Sequence, residues 1–281
     1  MLEKNKLIEE AIKNAFKEDI GDGDHSSLAC IPKSAKNKAK LIVKDSGVLA
    51  GVEIANLLFS IYGEFTFKKL IEDGEVVKPG DVAFEVEGNS QGILACERLV
   101  LNIMQRMSGI ATKTQSMLEL IKGCSSKILD TRKTTPNFRV FEKEAVRIGG
   151  GVNHRFALYD MIMLKDNHID YAGGITQALL KTDEYLKNTG KKIKVEIEVR
   201  DFKELNEALE CGLFNRVMLD NFTPSDISKA LKLIDGKFET EASGGITDYT
   251  LRSYAETGVD YISIGALTHQ VTSLDLSLKA F

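Results

Sequence analysis

The sequence predicts an α/β chain in two parts, a mixed α+β first half and a parallel β/α barrel in the second. From about residue 126, short apolar runs of β-type residues alternate with amphipathic helical stretches, at 127–129, 161–164, 193–199, 216–219, 238–241 and 261–264. The last four runs recur about every 22 residues, which is room for one strand, one short helix and two turns. Successive units of that length imply a parallel sheet with right-handed crossovers. Polar residues stand at the end of nearly every run. A barrel assembles its site from many strand ends in this way, whereas a doubly wound sheet concentrates it at one crevice.

In the first half, the pattern predicts an amphipathic helix over 4–19, a turn at Gly21-Asp22-Gly23-Asp24 and a strand near 39–43. A helix over 52–62 follows, then two short strands flanking residues 74–81, and a long helix from about 93 to 122. With 281 residues, 43% hydrophobic and 28% charged, the chain can bury one large core or two moderate ones. A net charge of -4 gives no electrostatic footprint for nucleic acid, and no basic run suits a membrane surface. The first residues carry no apolar leader core and no window spans a bilayer, so the expectation is a cytoplasmic protein. Cys30, Cys96, Cys124 and Cys211 show neither paired nor zinc-binding spacing and read as reduced thiols.

Within 192–199 the strict alternation puts Lys194, Glu196 and Glu198 on one face. Alone this would be a solvated edge strand. In a barrel the outer face meets helices, so the charges point inward and call for a cationic partner. With Asp220 one unit later, Glu198 could share Mg²⁺, a hard cation that takes oxygen ligands.

Ser243-Gly244-Gly245 and Ile264-Gly265-Ala266 end the last two runs. Glycine lets backbone approach a ligand, and a helix beginning after Thr247 would offer free N–H groups, which together make a phosphate cradle. A tight turn with a cap is the plain alternative.

Residues 130–168 hold seven Lys/Arg and five Asp/Glu, so placement matters more than field strength. Thr131, Arg132, Lys133, Arg155 and Lys165 lie at strand ends or glycine-flanked turns, where cationic forks grip carboxylate or phosphate. Lys143 and Arg147 read as solvated helix face. His154, beside Arg155, reads as a ligand contact and His168 as a backbone contact. Gly74 to Asp81, with Lys78 beside Pro79, has some likeness to a lipoyl or biotinyl hairpin, but the lysine sits in the wrong context for a carrier.

Taken in order, Glu97-Arg98-Leu99-Val100-Leu101-Asn102, Asp130-Thr131-Arg132-Lys133-Thr134-Thr135-Pro136, Gly149-Gly150-Gly151-Val152-Asn153-His154-Arg155, Leu164-Lys165-Asp166-Asn167-His168, Glu196-Ile197-Glu198, Met218-Leu219-Asp220-Asn221, Glu241-Ala242-Ser243-Gly244-Gly245-Ile246 and Ile262-Ser263-Ile264-Gly265-Ala266-Leu267-Thr268 resemble the quinolinate phosphoribosyltransferase family.

The resemblance implies an incomplete (β/α) barrel of about seven strands over 111–269. It also implies an N-terminal α+β sandwich domain over 1–110, rejoined by the tail at 270–281. The implied reaction joins quinolinate to the phosphoribosyl group of 5-phosphoribosyl 1-pyrophosphate, with loss of carbon dioxide and pyrophosphate. A relative using nicotinate, or the molybdenum-transport paralogue, is the alternative. The resemblance assigns Arg98, Arg132, Lys133, His154, Arg155 and Lys165 to carboxylate and phosphate oxygens, Glu198 and Asp220 to ribose hydroxyls and Mg²⁺, and the two glycine turns to the 5-phosphate. It further implies a homodimer in which Arg98 enters the neighbour's site. Glu198 fits the family spacing better than Glu196.

Overall fold

The computed structural model describes residues 2–281, with side chains from residue 4 onward. The chain opens with α1 (Leu2–Ile20), whose Ile8 and Ile12 are buried, and α2 (His25–Cys30), capped by the Asp24 carboxylate on the Ser27 N–H. Then come β1 (Lys36–Val43), β2 (Gly47–Val48), α3 (Val52–Tyr62), β3 (Phe65–Lys69), β4 (Val76–Val77), β5 (Val82–Asn89) and α4 (Ser90–Leu120). After β6 (Lys127–Leu129) and α5 (Arg139–Ile148), the chain runs through β7 (Ile162–Leu164), α6 (Asp166–Ala172) and α7 (Ile175–Thr189). It continues with β8 (Val195–Val199), α8 (Phe202–Cys211), β9 (Arg216–Asp220), α9 (Pro224–Ile234), β10 (Glu239–Ser243) and α10 (Leu251–Ala255). It ends with β11 (Tyr261–Ser263), α11 (Ala266–His269) and β12 (Leu276–Ala280).

These elements form two compact units. The first comprises residues 1–116, 133–151 and 266–281, and the second comprises 117–132 and 152–265.

In the first unit an antiparallel sheet has the order β12-β1-β5-β3. Alternation on β1 buries Ala39, Leu41 and Val43, and an aromatic cluster of Phe59, Phe65, Phe67 and Phe84 joins α3 to this sheet. β4 pairs with β2, and β5 pairs with β1 and β3, so residues 74–81 do not form the hairpin that a lysine carrier needs. Gly149 ends α5 in close packing on α4, since a Cβ there would lie 2.5 Å from the Ala111 carbonyl oxygen. Lys143 and Glu142 on α5 are buried, at 3% and 0% exposure, which corrects the reading of Lys143 as solvated face.

In the second unit six parallel strands run in the order β6-β11-β10-β9-β8-β7. A single parallel bridge from Leu129 to Val152 adds a seventh position beside β6. The expected seven-stranded incomplete barrel is therefore six strands and one bridge. Its repeat is legible in the caps. Asp201 accepts the Glu204 N–H to start α8, Thr223 accepts the Asp226 N–H to start α9 with Pro224 behind it, and Gly212 ends α8 at φ 67°.

Candidate active site

The strand register brings the sequence-predicted residues that belong to the second unit toward one end of its sheet. Leu164 pairs with Ile197, Glu198 with Met218, Asp220 with Ser243, and Ser263 with Leu129. Lys165, Glu198, Asp220, Ser243, Ile264 and Asp130 therefore stand at or just beyond neighbouring strand ends.

Asp130 is fully buried and locks the two basic loops together. It accepts the Asn153 side-chain N–H at 2.6 Å and the His154 backbone N–H at 2.8 Å. This holds Thr131 and Arg132 near Arg155. Burial lowers the Arg155 pKa, and the Arg132 charge lowers it further. The Arg155 Nη1 donates to the Met161 carbonyl at 3.2 Å. The Nε of Arg132 is buried without a hydrogen-bond partner among the described residues. Two repelling guanidinium groups with a donor left over have the charge and the hydrogen-bonding capacity to suit an anion.

On the opposite strands, Lys165 Nζ lies 3.5 Å from Glu198 Oε2. Burial raises the Glu198 pKa. Lys165 opposes that shift, and the negative charges of Asp220 and Asp166 add to it. His168 caps α6 by accepting the Lys165 backbone N–H at 3.0 Å, which is the structural role expected of it. Asp220 accepts Asn221 Nδ2 at 2.6 Å, and Asn221 itself adopts φ 56°.

Deeper in the sheet lies a network that sequence reasoning missed. Glu196, Arg216 and Glu239 share one register level, and Glu241 lies on the level of Glu198. His154 Nε2 approaches Glu196 Oε2 at 2.9 Å and Glu241 Oε2 at 3.4 Å, while Arg216 bonds Glu239 and Glu241, each at 3.1 Å. Burial lowers the His154 pKa, but hydrogen bonds and charge from the two glutamates outweigh it and raise the imidazole to about 9. The bond from the Arg155 N–H to Nδ1, at 2.7 Å, pulls the other way, because it needs the lone pair of a neutral ring. Two charged partners outweigh one neutral hydrogen bond. Burial and the charge of Glu241 raise the Glu196 pKa, while Glu241 is lowered by His154 and Arg216 despite its burial.

His154, Glu196 and Glu241 lie close enough to hold a metal ion. Arg216 already supplies a cation there, and an N–O contact of 2.9 Å is an ion pair. Glu196 thus belongs to this interior network, and Glu198 stands beside Lys165 at the strand ends. Of the three charges expected to point inward, Glu196 and Glu198 are buried on β8, whereas Lys194, just before the strand, is exposed and pairs with Glu239 at 3.0 Å. Arg216 and Glu241 were findable only by knowing which strands are neighbours.

The glycine turn after β10 is tightly built. Gly244 has φ 101°, and a Cβ there would collide with the Asn221 side chain. The expected helix N-terminus does not follow it. A turn closed by Thr247 and Thr250 intervenes, and α10 starts at Leu251 and has only five residues. Phosphate binding here would rest on the backbone of Ser243-Gly244-Gly245, without a helix dipole. Arg98, exposed on α4, and Lys133, exposed after Arg132, belong to the first unit, as does Ala266.

Residues 24–108 match the family described as quinolinate phosphoribosyl transferase, N-terminal domain, and residues 110–279 match its C-terminal domain. A tobacco (Nicotiana tabacum) protein named quinolinate phosphoribosyltransferase (decarboxylating) 2b, mitochondrial, is 42% identical over 97% of this chain and 82% of its own. The probable nicotinate-nucleotide pyrophosphorylase (carboxylating) of Bacillus subtilis is 41% identical over 96% and 92%. The crystal structure of NadC from Streptococcus pyogenes superposes with a TM-score of 0.90 at 38% identity, covering 98% of this chain and 97% of that one. Two family matches that together span almost the whole chain, with relatives this similar over their own length, place the protein in the quinolinate phosphoribosyltransferase family.

Proposed function

We propose that the chain transfers the phosphoribosyl group of 5-phosphoribosyl 1-pyrophosphate to quinolinate, giving nicotinate mononucleotide, carbon dioxide and pyrophosphate. The observation that carries this is the pair of buried Arg155 and half-buried Arg132, whose mutual repulsion and the buried, leftover Nε donor of Arg132 ask for a dianion. Quinolinate supplies two adjacent carboxylates. Arg98, Lys133, His154 and Lys165 are assigned to the same anionic groups, with Thr131 beside them. The backbone of Ser243, Gly244, Gly245, Ile264, Gly265 and Ala266 is assigned to the 5-phosphate.

The pyridine nitrogen is already nucleophilic, so the protein needs no serine or cysteine nucleophile. Its task is to orient the ring and meet the charge that develops as pyrophosphate departs, which preorganised cations do without rearranging. Glu198 and Asp220 receive the ribose hydroxyls. They also fit Mg²⁺, because both are oxygen donors on neighbouring strand ends and each raises the cost of the other's charge. Bound Mg²⁺ would neutralise pyrophosphate oxygens. We further propose a homodimer with Arg98 serving the neighbour's site, and a cytoplasmic enzyme, in keeping with four unpaired cysteines. Among the described residues no helix is long and apolar enough to cross a membrane.

The test is purified protein with 5-phosphoribosyl 1-pyrophosphate, Mg²⁺ and either quinolinate or nicotinate. Release of carbon dioxide from quinolinate is expected; turnover of nicotinate alone would overturn the reading.

A further inference from the structure

Glu142 is fully buried, yet it serves an exposed loop. Its Oε1 accepts Arg106 Nε at 3.1 Å, Arg106 Nη2 at 2.9 Å and the Thr135 hydroxyl at 2.9 Å, and its Oε2 accepts the Thr135 backbone N–H at 3.1 Å. Arg106 Nη2 also donates to the Thr268 carbonyl. The Thr268 hydroxyl in turn donates to the Lys133 carbonyl at 2.8 Å. The ring is closed: Lys133, Thr268, Arg106, Glu142 and Thr135 tie down both ends of a three-residue stretch. The residue between the ends, Thr134, accepts Arg139 Nε at 2.9 Å.

An ion pair with one buried and one half-buried partner is a poor device for stability alone, because what attraction gains, desolvation of the buried charge largely offsets. What this ring provides is a fixed backbone. It fixes the one part of the loop from which an exposed lysine projects, and it draws on α4, α5 and α11 to do so.

We propose that Arg106, Glu142 and Thr268 are positioning residues for Lys133, setting where its ammonium group meets an anionic substrate. This rests on the reading of Lys133 as a substrate-binding cation. The ring bonds the Lys133 carbonyl and the Thr135 N–H, so what it fixes is the backbone from which the Lys133 side chain starts.

The experiment is a double-mutant cycle on the full-length enzyme, reading the calorimetric Kd for quinolinate and for pyrophosphate, which stays measurable when turnover is lost. Thr268→Val keeps the side-chain shape and removes one hydroxyl. It should weaken binding of at least one probe about fivefold, the scale of a single lost hydrogen bond. In a Lys133→Met background the same change should cost nothing further, an outcome that a merely structural role would not produce. Thr135→Val, on the exposed loop, repeats the test if Thr268→Val does not fold. Equal losses with and without Lys133 would overturn the positioning role. If Lys133→Met binds both probes like wild type, the assignment of Lys133 to substrate is what fails.

Discussion

His154 shows how the charge state of a residue is set by partners buried around it. Its ring sits between Glu196 and Glu241, with Arg216 offsetting one of the two negative charges. A folded-state pKa of about 9, above the ordinary 6.5, means that the native state holds the ring proton more tightly than the unfolded chain. The stabilisation is therefore fully present below pH 6.5 and is lost as the pH rises through about 9. Urea unfolding followed from pH 6.5 to 9 should show wild-type stability falling more steeply than that of His154→Gln; equal slopes would contradict the ion-pair assignment. Period-two alternation put Glu196 and Glu198 on one face but could not rank their depth. Depth depends on strand neighbours, and Arg216 and Glu239 lie more than fifteen residues away in sequence. The placement of Arg132, Arg155 and Lys165 at turns and strand ends was legible because turn residues and strand ends advertise themselves.

Among elements, α4 has the most exacting neighbour. The C-terminal segment runs against it, with Gln105 Nε2 donating to the Leu276 carbonyl at 3.0 Å and the Leu274 N–H donating to the Gln105 carbonyl at 3.1 Å. At Gly109 there is no room for a methyl group. A Cβ would lie 2.9 Å from Val271 Cγ1 and 3.1 Å from Ser273 Cα, and closer still to the Thr272 carbonyl oxygen. Alanine at a helix interior ordinarily gains up to about 1 kcal/mol over glycine, and overpacking against backbone costs about 1–3 kcal/mol. The second effect should win. Gly109→Ala is expected to lower the melting temperature and expose β12 to limited proteolysis; an unchanged or higher melting temperature would show that the tail gives way freely. The long helix and the repeating strands were legible from periodicity. The helix after Thr247 was legible too, although α10 begins only at Leu251; the two-residue strands β2 and β4 and the helix α11 were not, because elements that short hold no full period and form only through tertiary partners.

For the whole molecule, the composition and the charge of -4 bounded the class of protein, but they left Arg98 without a purpose. It is exposed on α4, where an arginine alone is a solvated side chain. The proposal that it serves the site of a second subunit has a stoichiometric consequence. If each site takes Arg98 from one chain and Arg132 from the other, Arg98→Ala and Arg132→Ala are each inactive as homodimers. A heterodimer of the two has one site with both changes and one site with neither. Random exchange makes half of the dimers mixed, so the mixture should recover about a quarter of wild-type turnover. Both variants should retain the native circular dichroism spectrum, because neither Arg98 nor the leftover donor of Arg132 holds the core together. Heterodimers verified by native mass spectrometry that stay inactive would show that each site is built from a single chain.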